Sequence, residues 1–257
     1  RDQPRRSHRG HHRLAELDSV VSEIRALTFD VFGTVVDWRS SVIAECEAFG
    51  LRHGASLDWP SFVDDWRYDG YMGGSALIRK GELPFMTTDQ LHRRKLDMLL
   101  AANNLDQVDE QERDQLNRAW HRLHPWPDSV NGLKRLRTRF ICSTLSNGNL
   151  SLLVNMARFA GLEWDCILCA DVTGFYKPQP EMYLSAGKFL DLRPDEILMV
   201  AAHRFDLQSA QKAGLKAAYI PRPDEAGPSR SVDLSFDPAF EYNANSLEEL
   251  ASQLGCS

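Results

Sequence analysis

Phe29-Asp30-Val31-Phe32-Gly33-Thr34 closes an apolar, β-type run that begins at Ile24, and its reading decides the fold. The run delivers a carboxylate, then a glycine turn, then a hydroxyl. Further along lie four more short β-type runs: Phe140 to Ser146, Cys166 to Ala170, Ile197 to Ala202 and Lys216 to Ile220. Between them sit segments of helical period, Leu150 to Ala160, Glu181 to Leu190 and Asp206 to Ala213, each closed by a glycine or a short turn. Strand alternating with helix predicts an α/β fold, a Rossmann-like core in which a parallel sheet is flanked by helices on both faces. In open sheets of this kind ligands bind beyond the carboxyl ends of the strands. The polar residues that follow each apolar run are therefore the first candidates for chemistry.

Residues 39–127 break the alternation, with helical patterns over Ser41 to His53, Ser61 to Tyr71, Thr88 to Ala102 and Glu110 to Leu123 and no clear strand among them. An insertion of this size between the first and second core strands is expected to form a helical cap over the carboxyl edge of the sheet, supplying walls and a lid. The expected organisation is a basic, disordered tail over 1–20, a core built from 21–38 and 128–257, and a cap over 39–127. The Pro-, Gly-, Ser- and Asp-rich stretch Arg222 to Asp237 reads as a surface loop.

The chain has 257 residues, 43% hydrophobic and 26% charged, and a net charge of −6. Five arginines against one acid in residues 1–13 give the tail a local charge of +4 and leave −10 on the rest, a body that repels nucleic acid. No apolar stretch approaches the roughly 18 residues of a membrane span, and the basic start lacks the apolar core of a secretory signal. A soluble, cytoplasmic protein is expected. Five cysteines suggest reduced thiols, and Cys166-x-x-Cys169, in an apolar run without a second pair, reads as buried strand cysteines rather than a metal or redox motif.

Asp30 is the leading candidate. An aspartate at a strand end also caps turns, but three further groups follow core strands in the same way. Ser146-Asn147-Gly148 follows the second, Lys177-Pro178 with Tyr183 the third, and Ala201-Ala202-His203-Arg204-Phe205-Asp206 the fourth. One crevice would gather them all.

This ordered set, Asp-x-x-Gly-Thr, Ser-Asn-Gly, Lys-Pro with a following Tyr, then a strand-terminal Asp, resembles the haloacid dehalogenase superfamily from about Ile24 to the C-terminus. Within it the chain is similar to the (S)-2-haloacid dehalogenases, which carry a helical cap at this place, and Trp66-Arg67 resembles their aromatic-flanked arginine. The resemblance implies hydrolysis of short 2-haloalkanoic acids to 2-hydroxy acids through an aspartyl ester, with one inversion at C2 and fluoroacetate as an extension. It assigns Asp30 as nucleophile, Thr34 to orient it, Lys177 as the fixed cation, and Arg67 to receive halide and hold substrate. Ser146, Asn147 and the Val31 and Phe32 amides would hold the substrate carboxylate. Tyr183 would support the pocket as one of the substrate-binding residues, and Asp206 would position Lys177 or the hydrolytic water. No cofactor and no metal are implied, and related enzymes are commonly homodimers.

Phe32 discriminates within the superfamily, because phosphatases carry there an aspartate that protonates a basic leaving group. Halide leaves without a proton. A Mg²⁺ site also calls for several carboxylates, and the last motif offers only Asp206. One departure stands out: Ala201 and His203 replace a serine and an asparagine of well-known members. His203 is open to two readings, a water-activating base or halide donor, or a histidine bonded to a backbone carbonyl. Trp38 reads as packing of the cap onto the core. Three other readings remain: the same aspartyl chemistry on a strained-ring carboxylate, a Mg²⁺ phosphatase, and a non-catalytic binding module.

Overall fold

The central strand of the sheet is β1, Ala26–Phe29, and all four of its residues are buried. In the computed structural model residues 23–228 and 230–257 are described, so the basic tail expected over 1–20 lies outside them. Short strand β2, Val36–Asp37, leads into helices α1 (Trp38–His53) and α2 (Trp59–Asp65), a π-helical segment (Trp66–Met72), α3 (Gly73–Arg79), α4 (Thr88–Ala102) and α5 (Glu110–Asn117). After a 3-10 turn at Arg118–His121 the chain passes through β3 (His124–Pro125), α6 (Ser129–Leu136), β4 (Ile141–Ser146), α7 (Leu150–Ala160), β5 (Cys166–Cys169), α8 (Ala170–Thr173) and α9 (Pro180–Leu190). Then come a 3-10 turn at Pro194–Glu196, β6 (Ile197–Ala201), α10 (Arg204–Lys212), β7 (Lys216–Tyr219), β8 (Tyr242–Asn243) and α11 (Leu247–Gln253).

The six-stranded sheet has the order β5-β4-β1-β6-β7-β8, and every neighbouring pair is parallel. Its middle strands are apolar on both faces because each face is covered. Leu198 and Val200 of β6 pack into one core with Leu27 and Phe29, whereas Ile197, Met199 and Ala201 pack into the other with Met182 and Leu207. Phe29 lies opposite Thr144 on one side and Val200 on the other. The residues just beyond β1, β4 and β6 therefore emerge side by side at one edge, as the strand-end reading requires.

The stretch between β1 and β4 is mostly helical and has two features that the sequence reading did not include. Its ends are tied by an antiparallel pairing of β2 with β3, too short to show in a hydrophobic pattern. The helix expected over Ser61 to Tyr71 changes to π geometry at Trp66 and continues as α3 to Arg79. Gly74 permits this extension to lie against α4, since a Cβ there would come within 2.7 Å of Leu91. Helix α4 begins with a capping box, Thr87 with Gln90. Its first turn is tied to the core: Thr88 Oγ1 donates to Asn147 O at 2.7 Å, and Asn149 Nδ2 donates to Asp89 at 2.9 Å. The insertion thus holds the loop after β4 as well as covering it.

Cys166 and Cys169 lie on β5, the first half-buried and the second buried, and all five cysteines are unpaired. Among the described residues no helix is long and apolar enough to cross a membrane.

Candidate active site

The site begins with the turn after β1. Val35 and Val36 both donate their backbone N–H to Val31 O, and Gly33 N donates to Val36 O, closing a tight loop. Gly33 carries φ +84, in the left-handed region that glycine enters at least cost. The loop folds Thr34 back onto Asp30: Thr34 Oγ1 donates to Asp30 Oδ2 at 2.7 Å and accepts from Ala202 N at 2.9 Å. One hydroxyl thereby links the ends of two neighbouring strands to the candidate nucleophile.

Two cations hold the Asp30 carboxylate from different sides. Lys177 Nζ lies 3.2 Å from Oδ1 and donates to Asp206 Oδ2 at 2.6 Å, while Tyr183 Oη donates to Asp206 Oδ1 at 2.5 Å. His203 Nδ1 lies 3.1 Å from Asp30 Oδ2. Burial alone would raise the Asp30 pKa, but the Lys177 charge and the hydrogen bond and charge of His203 hold it well below the usual carboxylate range. Burial likewise pulls Lys177 down, and the charges of Asp206 and Asp30 overcome this and leave it raised. Asp206 is pushed up by burial, against the Lys177 charge that favours its ionised form.

Tyr183 is fully buried behind Asp206 and does not line the cavity. The expectation that it binds substrate is therefore corrected: its hydroxyl is occupied in orienting Asp206, and Asp206, with both oxygens bonded, orients Lys177. Val31 has a buried side chain that is also no part of the wall, which leaves only its backbone near the site. Asp30, Phe32, Arg67, Ser146, Asn147, Lys177, His203 and Asp206 all face one cavity of about 680 Å³. Asn147 Oδ1 accepts from Lys177 N at 2.7 Å, so this side chain also fixes the lysine loop.

Arg67, 9% exposed, stands in an aromatic cage. Its Cζ lies 4.7 Å from the ring centre of Tyr71, 5.2 Å from Phe32, 5.3 Å from Trp38 and 5.9 Å from Trp120. No carboxylate pairs with it among the described residues, and its Nη1 is buried without a hydrogen-bond partner. The cage stabilises the cation through the ring faces and leaves a desolvated N–H donor, which favours an anion. Beneath the cage, buried His92 stacks on Trp120 at 4.1 Å, and burial with the Arg67 charge keeps its pKa well below the ordinary histidine value.

Glu225 is the functional-site residue the sequence did not reveal. Its two carboxylate oxygens lie 2.9 Å from His203 Nε2, and Oε1 accepts from Trp38 Nε1 at 3.1 Å. The stretch Arg222 to Asp237, read as a surface loop, is a loop but also a wall of the cavity, contributing Arg222, Glu225, Ala226 and Arg230. Arg222 anchors it through a two-pronged ion pair to Asp128 and a hydrogen bond to Thr34 O. Burial pulls His203 down, yet the Glu225 charge and the bonds to Asp30 and Glu225 lift its pKa to about 10. His203 is thus an imidazolium between two carboxylates, and the reading that bonded it to a backbone carbonyl falls. Trp38, expected only to pack the cap onto the core, lies between Tyr68 and Trp120 of the helical insertion, lines the cavity and holds Glu225. The one signal for Glu225 was His203 itself, a histidine just beyond a strand end in want of a partner. Among the described residues no group of three or more His, Cys, Asp or Glu side chains is arranged to hold a metal ion.

A parallel sheet that gathers a buried carboxylate, a hydroxyl four residues later, a lysine and a second aspartate beyond its strand ends defines an α/β enzyme scaffold with its site at the carboxyl edge of the sheet. The haloacid dehalogenase-like hydrolase family matches residues 24–214, and the chain belongs to that family. The (S)-2-haloacid dehalogenase 4A of Burkholderia cepacia is 29% identical over 234 residues, covering 90% of this chain and 95% of that protein. A solved structure of a defluorinating L-2-haloacid dehalogenase is 42% identical with a TM-score of 0.87, covering 91% of this chain and 96% of that one. Another L-2-haloacid dehalogenase structure is 43% identical at the same TM-score, covering 91% and 100%.

Proposed function

We propose that this chain hydrolyses 2-haloalkanoic acids to 2-hydroxy acids, with Asp30 as nucleophile and the helical insertion serving as cap. The observation that carries the reading is the pairing, on one cavity, of an ionised Asp30 with a caged Arg67 whose Nη1 lacks a partner. Of the two Asp30 oxygens, Oδ2 is held by Thr34 and His203, whereas Oδ1 meets only Lys177. Oδ1 is the oxygen free to attack. Its lone pair forms the bond to C2 as the carbon–halogen pair departs with the halide toward Arg67. Phe32, packed against the Arg67 guanidinium, supplies no proton, and none is needed. Ser146 and the Asn147 amide, whose Oδ1 is already used, offer donors for the substrate carboxylate.

Ester formation removes the Asp30 charge, and with it one of the two carboxylates that keep His203 protonated. The imidazole then releases its Nδ1 proton to solvent, the proton that accompanies the halide in the net reaction, while its Nε2–H stays bonded to Glu225, the relation of carboxylate to base found in nucleophilic triads. Water attacking Cγ gives a proton to Nδ1. The oxyanion that builds on Oδ2 is met by the Thr34 hydroxyl. Collapse breaks the Cγ–Oδ1 bond and returns the proton to the departing alkoxide, so the product hydroxyl carries the former Oδ1. The new Asp30 carboxyl transfers its proton to His203, restoring the starting state. Lys177 supplies the fixed positive charge throughout, and the scheme uses no metal.

Fluoroacetate falls within the proposed range. One similar structure bears the description defluorinating, and the unpartnered Arg67 donor suits the halide that leaves least readily. Halide release from chloroacetate and racemic 2-chloropropionate in EDTA tests the reading, alongside Asp30→Asn. Release that consumes the (S) enantiomer alone and disappears in the variant supports it. A single turnover in ¹⁸O-water places the label in Asp30 and not in the product; label in the product at once would refute the ester.

A further inference from the structure

A polar cluster outside the cavity reaches the residues that would hold the substrate carboxylate. Thr88, Asp89 and His121 form it, and none of them lines the cavity. His121, in the 3-10 turn after α5, is 4% exposed, and both of its ring nitrogens are engaged. Nε2 lies 3.0 and 3.1 Å from the two Asp89 carboxylate oxygens, and Nδ1 lies 3.0 Å from Asn155 Nδ2 on the core helix α7. A carboxylate only accepts, so Nε2 carries the proton that faces Asp89.

Asp89, in the first turn of α4, meets the loop after β4 through a two-pronged pairing. Its N–H donates to Asn149 Oδ1 at 3.1 Å, and its Oδ2 accepts from Asn149 Nδ2 at 2.9 Å. Its carbonyl accepts from Asn117 Nδ2 at 3.1 Å, which ties the same turn to α5. One residue earlier, Thr88 Oγ1 donates to Asn147 O at 2.7 Å. The loop is thus gripped at residues 147 and 149 by a single helical turn.

The grip decides where the loop's donors point. Ser146 Oγ accepts from Gly148 N at 3.2 Å, which leaves its proton to be donated into the cavity. Asn147 Oδ1 accepts from Lys177 N at 2.7 Å, which leaves Nδ2 as the donor of that side chain. The remaining bond on this stretch, from Thr88 to Asn147 O, comes from the helical insertion. Resting on the dehalogenase reading, we propose that Asp89 and His121 are positioning residues for the substrate carboxylate. They hold the first turn of α4, which through Thr88 and Asn149 fixes the loop over residues 146–149. Carboxylate affinity is set from outside the cavity, and halide departure at Arg67 is left alone.

Steady-state kinetics on chloroacetate with Asp89→Ala and His121→Phe tests the assignment. A contact made alike in the ground and transition states appears in KM, so KM should rise about tenfold or more while kcat changes by less than about threefold. Acetate, which carries the carboxylate without a halogen, should inhibit more weakly by the same factor. Bromide, which samples the halide position, should inhibit as in the wild type. Asp89→Asn and His121→Gln keep part of the pairing and should recover most of the loss. Thr88→Val removes only the bond to Asn147 O and should show the same split on a smaller scale, which keeps the test open where an Asp89 variant does not fold. Folded variants with wild-type KM, a fall in kcat at constant KM, or equal weakening of acetate and bromide would overturn the proposal. No chloride release by the wild type would remove the dehalogenase reading, and calorimetric binding of acetate would then decide the positioning role by itself. Affinity lost in Asp89→Ala with bromide binding retained supports it, and equal affinity, or no acetate binding to the wild type, overturns it.

Discussion

Replacing Glu225 by Gln keeps the shape of the side chain and removes one of the two charges that hold His203 protonated. The carboxylate oxygens lie 2.9 Å from Nε2, with charge centres roughly 4 Å apart, which at an effective dielectric near 20 corresponds to about 4 kcal/mol. The two side chains are 24% and 16% exposed, and solvent screening brings this to about 2 kcal/mol. At about 1.4 kcal/mol per tenfold change, the His203 pKa should fall by roughly 1.5 from its value of about 10. In the free enzyme three carboxylates, Asp30, Asp206 and Glu225, face three cations, Arg67, Lys177 and His203. Deprotonating His203 removes one positive charge from this group and weakens its attraction for an anionic substrate. The alkaline limb of kcat/KM for chloroacetate should therefore lie near pH 10 in the wild type and about 1.5 units lower in the variant. Stability has the same sign. A histidine whose pKa is raised by folding contributes fully below its unfolded value near 6.5 and loses that contribution as pH rises through about 10. The variant should be the less stable protein at pH 7, with the difference fading by pH 10. An alkaline limb that does not move, read together with an unmoved His203 signal in an NMR titration, would refute the reasoning.

Other substitutions probe the remaining links. Lys177→Met removes the cation between Asp30 and the 2%-exposed Asp206, which should cost about 3–5 kcal/mol of stability near neutral pH and abolish halide release. Melting measured across pH should show this variant relatively more stable at pH 5, where a buried Asp206 can take a proton; a loss that is flat with pH would contradict the pairing. Gly33→Ala places a methyl 1.9 Å from Glu225 Oε1 at φ +84, so it should reproduce the pH profile of Glu225→Gln with about 1–2 kcal/mol of added backbone cost. A profile identical to wild type would show that Glu225 tolerates displacement.

The strands were legible because they are buried on both faces. Runs such as Ile197 to Ala201 are apolar without interruption, and each predicted strand matches an observed one to within a few residues. Strand β8 was missed because two half-buried residues leave no pattern. The change to π geometry at Trp66 was equally invisible, since no period in the residues marks it.

Sequence by itself determined the sheet, its helical insertion and the group Asp30, Thr34, Ser146, Asn147, Lys177 and Asp206, because short motifs fixed to strand ends travel with the strands. Only the tertiary structure decided which groups complete the site. Glu225 lies 195 positions from Asp30 in a loop with no periodic signal, and reaches His203 only because the Arg222–Asp128 ion pair folds that loop over the cavity. Tyr183 changed from a pocket wall to the support of Asp206 for the same reason: a side chain's partner is set by the packing of elements distant in sequence. Charge state follows contact, so the protonation of His203 became readable only once both its carboxylates were in place.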